Sequence, residues 1–164
     1  MVTRVLFVCL GNICRSPLAE GILRRLVEEA GLAGSIAVDS AGTGGYHQQQ
    51  PPDPRSCDVA RKRGIRLDDQ RARQVEPRDF HHFDLILAMD SENLRDLVEI
   101  CPRALRHKLR LLRSYDPEAS PEGDQNVPDP YFGGRTGFDD SFDMIHRCCK
   151  ALLESLTPPN PPAN

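Results

Sequence analysis

Residues 5–17 read Val-Leu-Phe-Val-Cys-Leu-Gly-Asn-Ile-Cys-Arg-Ser-Pro and contain, in order, an apolar segment, a short loop and the start of a helix. The apolar part, residues 5–9, is typical of a strand that is buried on both faces of a sheet. Ser16 can cap a helix, and Pro17 suits the first helical position. Apolar residues then recur at helical spacing, namely Leu18, Ile22, Leu23, Leu26, Val27 and Ala30. We therefore predict a strand, a loop and a helix in direct succession.

The loop between this strand and this helix is suited to an anion. The N–H groups of such a loop can converge on one point, and the helix N-terminus adds roughly half a positive charge there. Gly11 lets the backbone approach an anion without a side-chain clash. Arg15 offers a planar fork of donors that matches two phosphate oxygens. The sequence therefore predicts a phosphate-binding loop.

Cys9 lies at the start of this loop and is a candidate nucleophile. A free cysteine, with a pKa of about 8.5, is mostly a thiol at neutral pH, but cationic neighbours and a helix N-terminus favour the reactive thiolate. Arg15 can follow the phosphate oxygens into the transition state, and Ser16 can donate to the sulfur when it leaves. If Cys9 and Arg15 stood alone, the alternative would be that Cys9 is a buried cysteine at the end of a strand and Arg15 a surface charge. The glycine, the Ser-Pro pair and the flanking strand and helix favour the catalytic interpretation.

Residues 9–17, CLGNICRSP, resemble the signature of the low-molecular-weight protein tyrosine phosphatases. The resemblance continues at residues 40–43, 71–74 and 129–131, which read SAGT, RARQ and DPY, so it covers nearly the whole chain. It implies metal-independent hydrolysis of phosphotyrosine and aryl phosphates through a phosphocysteine, with no cofactor. It also implies a tyrosine-phosphorylated protein as the substrate and a cognate tyrosine kinase as a partner. We expect the protein to act as a monomer.

The resemblance also implies roles for individual residues, both within the signature and beyond it. The catalytic residues would be Cys9, Arg15 and Asp129, and the phosphate-binding loop would comprise Leu10, Gly11, Asn12, Ile13, Cys14 and Ser16. Asn12 and Ser40 would brace the loop. Relatives commonly carry a histidine where this chain has Gln70, and a glutamine can also bridge two polar groups. Aromatic residues in the irregular segments, namely Tyr46, Tyr131 and Phe132, could enclose a substrate ring, beside the branched side chain of Ile13.

The leaving oxygen of a phosphoester needs a proton that residues 9–16 cannot supply. Asp129 lies between two prolines that could aim its carboxyl group. An Asp-Pro pair alone is a turn signal, and Asp116 and Asp124 are the next candidate acids in the same segment. The resemblance to the phosphatases favours Asp129, which would return as the base when water attacks the phosphocysteine.

Strand and helix signals alternate along the chain, which favours an α/β fold. Further strands are predicted at residues 36–40, 84–89 and 108–112, and helices are predicted after Pro54, after a cap at Asp90 or Ser91, and up to residue 156. The last helix carries apolar residues at helical spacing, namely Phe138, Phe142, Ile145, Cys149, Leu152 and Leu156. We predict a single three-layer domain over residues 1–156, with a four-stranded parallel sheet flanked by helices and the phosphate-binding loop after strand 1. Residues 157–164 contain four prolines and are predicted to be a disordered tail.

Ligands of open α/β sheets bind beyond the carboxyl ends of the strands, where Cys9, Ser40 and Asp90 are predicted to lie. Two long irregular segments, residues 46–54 and 113–137, are predicted to contribute to the same site.

Composition and charge limit the partners and the cellular location that we expect for this protein. The 164 residues have a net charge of −3 and no basic stretch interleaved with aromatics, which argues against nucleic-acid binding. The apolar run at residues 5–10 is too short for a signal core or a membrane span. The six cysteines include the adjacent Cys148 and Cys149, and no signal peptide precedes them, so we expect a reducing, cytoplasmic location.

Cys14 has two interpretations, a small packing residue or a partner that captures oxidised Cys9 as a disulfide. The second interpretation would make the enzyme reversibly sensitive to peroxide.

Four other functions are alternatives to the phosphatase. An arsenate reductase of the same fold would need a relay pair of cysteines, and the remaining ones, Cys57, Cys101, Cys148 and Cys149, are dispersed. A non-catalytic phosphate-binding or redox-sensing module would not need Asp129. A zinc site built from Cys9, Cys14 and histidines such as His47, His81 or His82 has no matching second pair of ligands. A Walker-type loop is excluded because no Gly-Lys-Ser/Thr follows.

Overall fold

The computed structural model describes residues 1–158. Its strands are β1 (Thr3–Cys9), β2 (Ile36–Gly42), β3 (Leu85–Ala88) and β4 (Leu109–Leu111), and its α-helices are α1 (Arg15–Glu29), α2 (Pro54–Arg61), α3 (Pro77–His82), α4 (Ser91–Ile100) and α5 (Arg135–Leu156). Two 3₁₀ segments cover Arg103–Lys108 and Leu112–Tyr115. Most of the predicted tail, residues 159–164, lies outside the described residues, so its disorder stays a prediction.

The four strands form one parallel sheet in the order β2-β1-β3-β4. β1 lies in the interior of the sheet and pairs with both β2 and β3, and its last residue, Cys9, is in register with Gly42. The carboxyl ends of β1, β2 and β3 therefore meet at one edge, which confirms the predicted fold class.

The side chains of β1 alternate between two hydrophobic clusters, one on each face of the sheet. Val5 and Phe7 belong to the cluster that includes residues of α1, α2 and α5. Leu6 and Val8 belong to the cluster that includes Phe80 of α3 and residues of α4. Residues 5–9 are buried throughout, as predicted for a strand covered on both faces. The result is a helix–sheet–helix sandwich that fixes β1 and the loop after it. Within residues 1–158, no α-helix is both long and apolar enough to span a bilayer.

The start of α1 differs from the prediction. The helix begins at Arg15 after Cys14, without a side-chain cap, so Ser16 and Pro17 are its second and third residues. The Ser16 hydroxyl lies 3.1 Å from the Cys9 sulfur instead, because the loop folds back over the end of β1. The predicted cap on α4 is confirmed, since the Asp90 side chain accepts from the N–H of Asn93.

Two other boundaries also differ. α3 was not predicted, because six residues are too few to display an apolar period. The irregular segment predicted at residues 113–137 is shorter at both ends, because a 3₁₀ turn runs to Tyr115 and α5 already begins at Arg135.

Candidate active site

Cys9 ends β1 at the carboxyl edge of the sheet and is only 2% exposed. Residues 10–14 curl from it to the N-terminus of α1, so the sulfur faces the positive end of a helix dipole. The neighbouring Ser16 hydroxyl is within hydrogen-bond distance of the sulfur. The predicted strand, loop and helix thus form a concave loop around Cys9.

Asn12 holds the middle of this loop. Its φ is +57°, in the left-handed region that asparagine tolerates better than most residues. Its Nδ2 donates to the hydroxyls of Ser16 (2.8 Å) and Ser40 (2.9 Å), and its Oδ1 accepts from the backbone N–H of Arg73 (3.0 Å). The amide therefore links the loop to β2 and to the segment after α2, as expected for a brace.

The bracing network extends to Glu20, which the sequence analysis missed. Ser40 Oγ donates to Glu20 Oε1 (2.9 Å), and Arg24 pairs with the other carboxyl oxygen at 3.0 Å. Glu20 is 5% exposed, and this burial raises the pKa of its carboxyl to about 7, although Arg24 opposes the shift. A Glu–Arg pair four residues apart on a helix is typical of a solvated surface, so the burial of Glu20 could not be predicted from the sequence pattern.

Gly42 allows the loop to lie against the end of β2. The carbonyls of Cys9 and Leu10 accept from the N–H groups of Thr43 and Gly44, both at 2.9 Å. A Cβ at position 42 would lie 2.7 Å from the Leu10 carbonyl oxygen. A backbone carbonyl cannot move aside as the end of a flexible side chain can, so position 42 requires glycine.

Arg15 lies beneath the loop and is 2% exposed. Its Nη1 donates to Asp90 Oδ2 (2.6 Å) and to the Val127 carbonyl (2.9 Å), while Nη2 lies 3.5 Å from Asp129 Oδ2. Burial disfavours its charge, but the Cys9 sulfur and Asp90 outweigh burial and raise the pKa of the guanidinium. Asp90 was predicted at this edge as a helix cap, and in the structure it makes a second contact that orients Arg15.

Asp129 lies at the open side of the cleft, with 36% of its side chain exposed. The N–H of Tyr131 donates to its Oδ1 (3.0 Å), and the nearby Val127 N–H donates to the Met89 carbonyl at 2.7 Å. These contacts bring the segment after β4 to the carboxyl edge of the sheet.

The two rival acids are engaged elsewhere. Asp116 is buried between two arginines, and hydrogen bonding from Arg147 lowers the pKa of its carboxyl to about 2. Asp124 accepts from the backbone N–H of Asn126. Asp129 is the carboxylate that lines the cleft with Cys9.

The cleft above Cys9 has a volume of about 150 Å³. All three aromatic residues expected around a substrate ring line it, together with Leu10, Gly11, Ile13 and Cys14. Phe132 is 92% exposed and Tyr46 is 74% exposed, so they form the rim. His47, which the sequence analysis did not assign to the ring, also lines the wall.

Gln70 does not join the bracing network among the described residues. Its Nε2 donates to the Pro17 carbonyl (3.1 Å) in the first turn of α1, so it contacts the helix that carries Arg15 rather than Asn12 or Ser40. Its support of the loop stays a prediction.

Of the residues of the zinc alternative, His47 lines the cleft with Cys9 and Cys14, but His81 and His82 lie elsewhere. His81 and His82 end α3, whose Phe80 belongs to the cluster on the opposite face from Cys9 and Cys14. In residues 1–158, no group of three His, Cys, Asp or Glu side chains is arranged to hold a metal ion.

Comparison with known proteins agrees with this geometry. The family model described as low molecular weight phosphotyrosine protein phosphatase matches residues 4–160. A low molecular weight protein-tyrosine-phosphatase of Streptomyces coelicolor is 46% identical over 157 residues, covering 95% of this chain and 94% of the relative. The crystal structure of a protein tyrosine phosphatase from Entamoeba histolytica superposes with a TM-score of 0.89 at 37% identity, covering 94% of this chain and 96% of the other. That of a drosophila arginine phosphatase gives 0.86 at 33% identity, covering 95% and 99%.

The raised pKa of Glu20 predicts a pH-dependent stability. Its ordinary pKa is 4.5, so between pH 4.5 and about 7 the folded chain keeps a proton that the unfolded chain has lost. Stability therefore falls as the pH rises through this window, by at most about 3 kcal/mol for this group. We expect Glu20→Gln to remove this part of the slope when the free energy of unfolding is measured by urea titration at a series of pH values.

Glu29→Gln is the matched control, since Glu29 is an exposed residue of the same helix that also pairs with an arginine. Parallel pH profiles for Glu20→Gln and the wild type would contradict the assignment.

Proposed function

We propose that this chain, which belongs to the low molecular weight phosphotyrosine protein phosphatase family, hydrolyses phosphotyrosine in proteins through a phosphocysteine on Cys9. The chain is a protein-tyrosine-phosphatase, a phosphoric monoester hydrolase. The roles of individual residues and the preferred substrate are the proposal.

The observation that carries the proposal is the convergence of Cys9, Arg15 and Asp129 on one small cleft. A nucleophile, a bidentate cation and a proton donor are the groups that metal-free transfer of a phosphoryl group to a protein side chain requires. They come from β1, α1 and the segment before α5, and each of the three side chains has a hydrogen-bond partner in the site.

In the first step, the Cys9 thiolate attacks phosphorus, and the bond from phosphorus to the leaving oxygen breaks. Asp129 donates its proton to that oxygen, so that tyrosine leaves as a neutral phenol. Arg15 and the loop N–H groups stabilise the charge on the transferring phosphoryl group. In the second step, water attacks the phosphocysteine, Asp129 takes the water's proton, and inorganic phosphate leaves the restored thiolate. Ser16, 3.1 Å from the sulfur, stabilises that thiolate.

The walls of the cleft favour an aromatic substrate. Tyr131 and Tyr46 offer ring faces, Ile13 adds a branched apolar surface, and a longer phosphotyrosine reaches a recessed sulfur more readily than phosphoserine does. Phosphoarginine is the second candidate substrate, because one structural neighbour is an arginine phosphatase. Rates on phosphotyrosine, phosphoserine and phosphoarginine, with and without chelator, test the substrate class.

Cys14 supports a proposal of redox regulation. It lies in the same buried cluster as Cys9 and lines the same cleft, although burial, with Asp53 nearby, raises the pKa of its thiol. Peroxide would oxidise the Cys9 thiolate to a sulfenic acid; the Cys14 sulfur would then attack that sulfur, and the hydroxyl would leave with the Cys14 proton as water. The product is a disulfide that a thiol reductant can reverse.

The arsenate reductase alternative lacks support in its cysteines. Cys148 and Cys149 are both buried on α5, and burial raises the pKa of Cys148 to about 12 and that of Cys149 well above its usual value. Neither of these thiols lines the cleft around Cys9, whereas Cys14 does, so they are poorly placed to exchange with Cys9.

Cys9→Ser should abolish turnover and keep part of the affinity for vanadate, because the loop N–H groups and Arg15 remain. Steady-state rates and vanadate titration measure the two effects, and chelator should leave the wild-type rate unchanged. Turnover by this variant above the uncatalysed background would rule out Cys9 as the nucleophile.

Asp129→Ala should lower the rate on phosphotyrosine by about 10²- to 10⁴-fold, the usual contribution of a general acid. The loss on para-nitrophenyl phosphate should be smaller, because its leaving group needs less protonation. Asp124→Ala is the control and should leave both rates unchanged. An equal, small loss on both substrates for Asp129→Ala would point to another acid.

Cys14→Ser should remain active but recover less activity than the wild type when a thiol reductant follows mild peroxide treatment. Mass spectrometry should find the wild-type Cys9 and Cys14 peptides joined and lighter by two hydrogen atoms, and sulfinic or sulfonic Cys9 in the variant. A disulfide from Cys9 to Cys57, Cys101, Cys148 or Cys149 would instead favour the thiol-relay alternative.

A further inference from the structure

Arg55, in the first turn of α2, is hydrogen-bonded both to Asp53 and to Tyr131, and Tyr131 lines the cleft. Its Nε and Nη2 donate to the two carboxyl oxygens of Asp53, at 3.0 and 2.9 Å. Its Nη1 donates to the Tyr131 carbonyl at 3.1 Å. A guanidinium can serve a carboxylate and a carbonyl at once because its donors are fixed in one plane.

The Asp53 end of this connection is attached to the phosphate-binding loop. The N–H of Asp53 donates to the Ile13 carbonyl at 2.8 Å, and its carboxylate also accepts from the N–H of Arg55, capping α2. Ser56 donates to the Cys14 carbonyl at 3.3 Å. The first turn of α2 is therefore fixed relative to the loop around Cys9.

The Tyr131 end is attached to Asp129. Tyr131 donates its N–H to Asp129 Oδ1, so its carbonyl contact with Arg55 constrains the residue that orients the acid. The guanidinium carbon also lies 5.4 Å from the centre of the Tyr131 ring and 4.5 Å from that of Phe138, a fully buried residue of α5. These cation–π contacts hold the arginine between the core and the acid segment, residues 116–134, which carries Asp129.

We propose that Arg55 is a positioning residue that fixes Tyr131, and through it the carboxyl of Asp129, relative to the phosphate-binding loop. This inference rests on the proposed role of Asp129 as the general acid. Paired with Asp53, Arg55 carries little free charge toward the cleft, so its effect is on alignment. A shift of about 1 Å in a catalytic group can cost up to about 10²-fold in rate.

The test compares Arg55→Gln, Arg55→Lys and the control Arg63→Gln. Arg63 has a similar setting, since it is partly exposed, pairs with Asp139 and Asp143 of α5, and lies 4.5 Å from the Phe142 ring centre. It differs in having no contact with the acid segment's Tyr131.

The measurement is the ratio of kcat/KM on phosphotyrosine to kcat/KM on para-nitrophenyl phosphate, because kcat/KM reports the step in which the leaving group departs. Arg55→Gln should lower this ratio about tenfold, a fraction of the full general-acid effect. Arg55→Lys should give an intermediate ratio, because it can keep one hydrogen bond but not the fork. Arg63→Gln should keep the wild-type ratio. An equal loss on both substrates for Arg55→Gln, with or without a lower Tm, would overturn the proposal, because it would mean a structural role only.

The same ratio in an Asp129→Ala background separates the two proposals. If Asp129→Ala alone lowers the ratio, adding Arg55→Gln should lower it no further, and an additional drop would show that Arg55 acts by another route. If Asp129→Ala does not change the ratio, the assignment of the acid fails. If Asp129→Ala lowers the ratio and Arg55→Gln does not, only the inference about Arg55 fails.

Discussion

The ion pair between the buried Arg15 and the partly buried Asp90 determines the geometry of the cleft. Removing the Arg15 charge from water is expensive, and an uncompensated buried charge would destabilise the fold. Here the 2.6 Å contact and a second bond to the Val127 carbonyl satisfy one guanidinium nitrogen, while the other nitrogen remains available on the Asp129 side. Arg15 is thereby joined to Asp90, 75 residues away, and to Val127, 112 residues away. For this reason α1, the end of β3 and the acid segment cannot move independently.

The sheet order makes this pair possible. β1 lies between β2 and β3, so its carboxyl end meets Ser40 and Gly42 on one side and Asp90 on the other. The nucleophile thereby has the Asn12 and Ser40 bracing network on the β2 side and the Arg15–Asp90 pair on the β3 side. Glu20, the carboxyl of that network, is separated from Cys9 by Ser40, Asn12 and Ser16, and burial favours its neutral form.

Much of this arrangement could be predicted from local patterns, because a buried strand, a glycine-containing loop and a helix are encoded within residues 5–30. The partners that act at a distance could not. Asp90 has the spacing of an ordinary helix cap and performs that role, while its second oxygen faces Arg15. Arg55 follows an Asp-Pro turn and resembles a surface charge, since the Tyr131 carbonyl it binds lies 76 residues away. The predicted contact between Ser16 and the Cys9 sulfur is present, but the predicted cap is not, because the helix already begins at Arg15.

The acid segment between β4 and α5 has few backbone hydrogen bonds of its own, and guanidinium groups replace them. The carbonyls of Asn126, Val127 and Tyr131 accept from Arg113, Arg15 and Arg55 respectively. Arg147 of α5 anchors the start of the segment through Asp116. A planar guanidinium suits this task because it can bind a carbonyl and a carboxylate at once without needing a regular backbone. The segment can therefore remain irregular enough to carry Asp129 and its aromatic neighbours across the cleft while being fixed at several points.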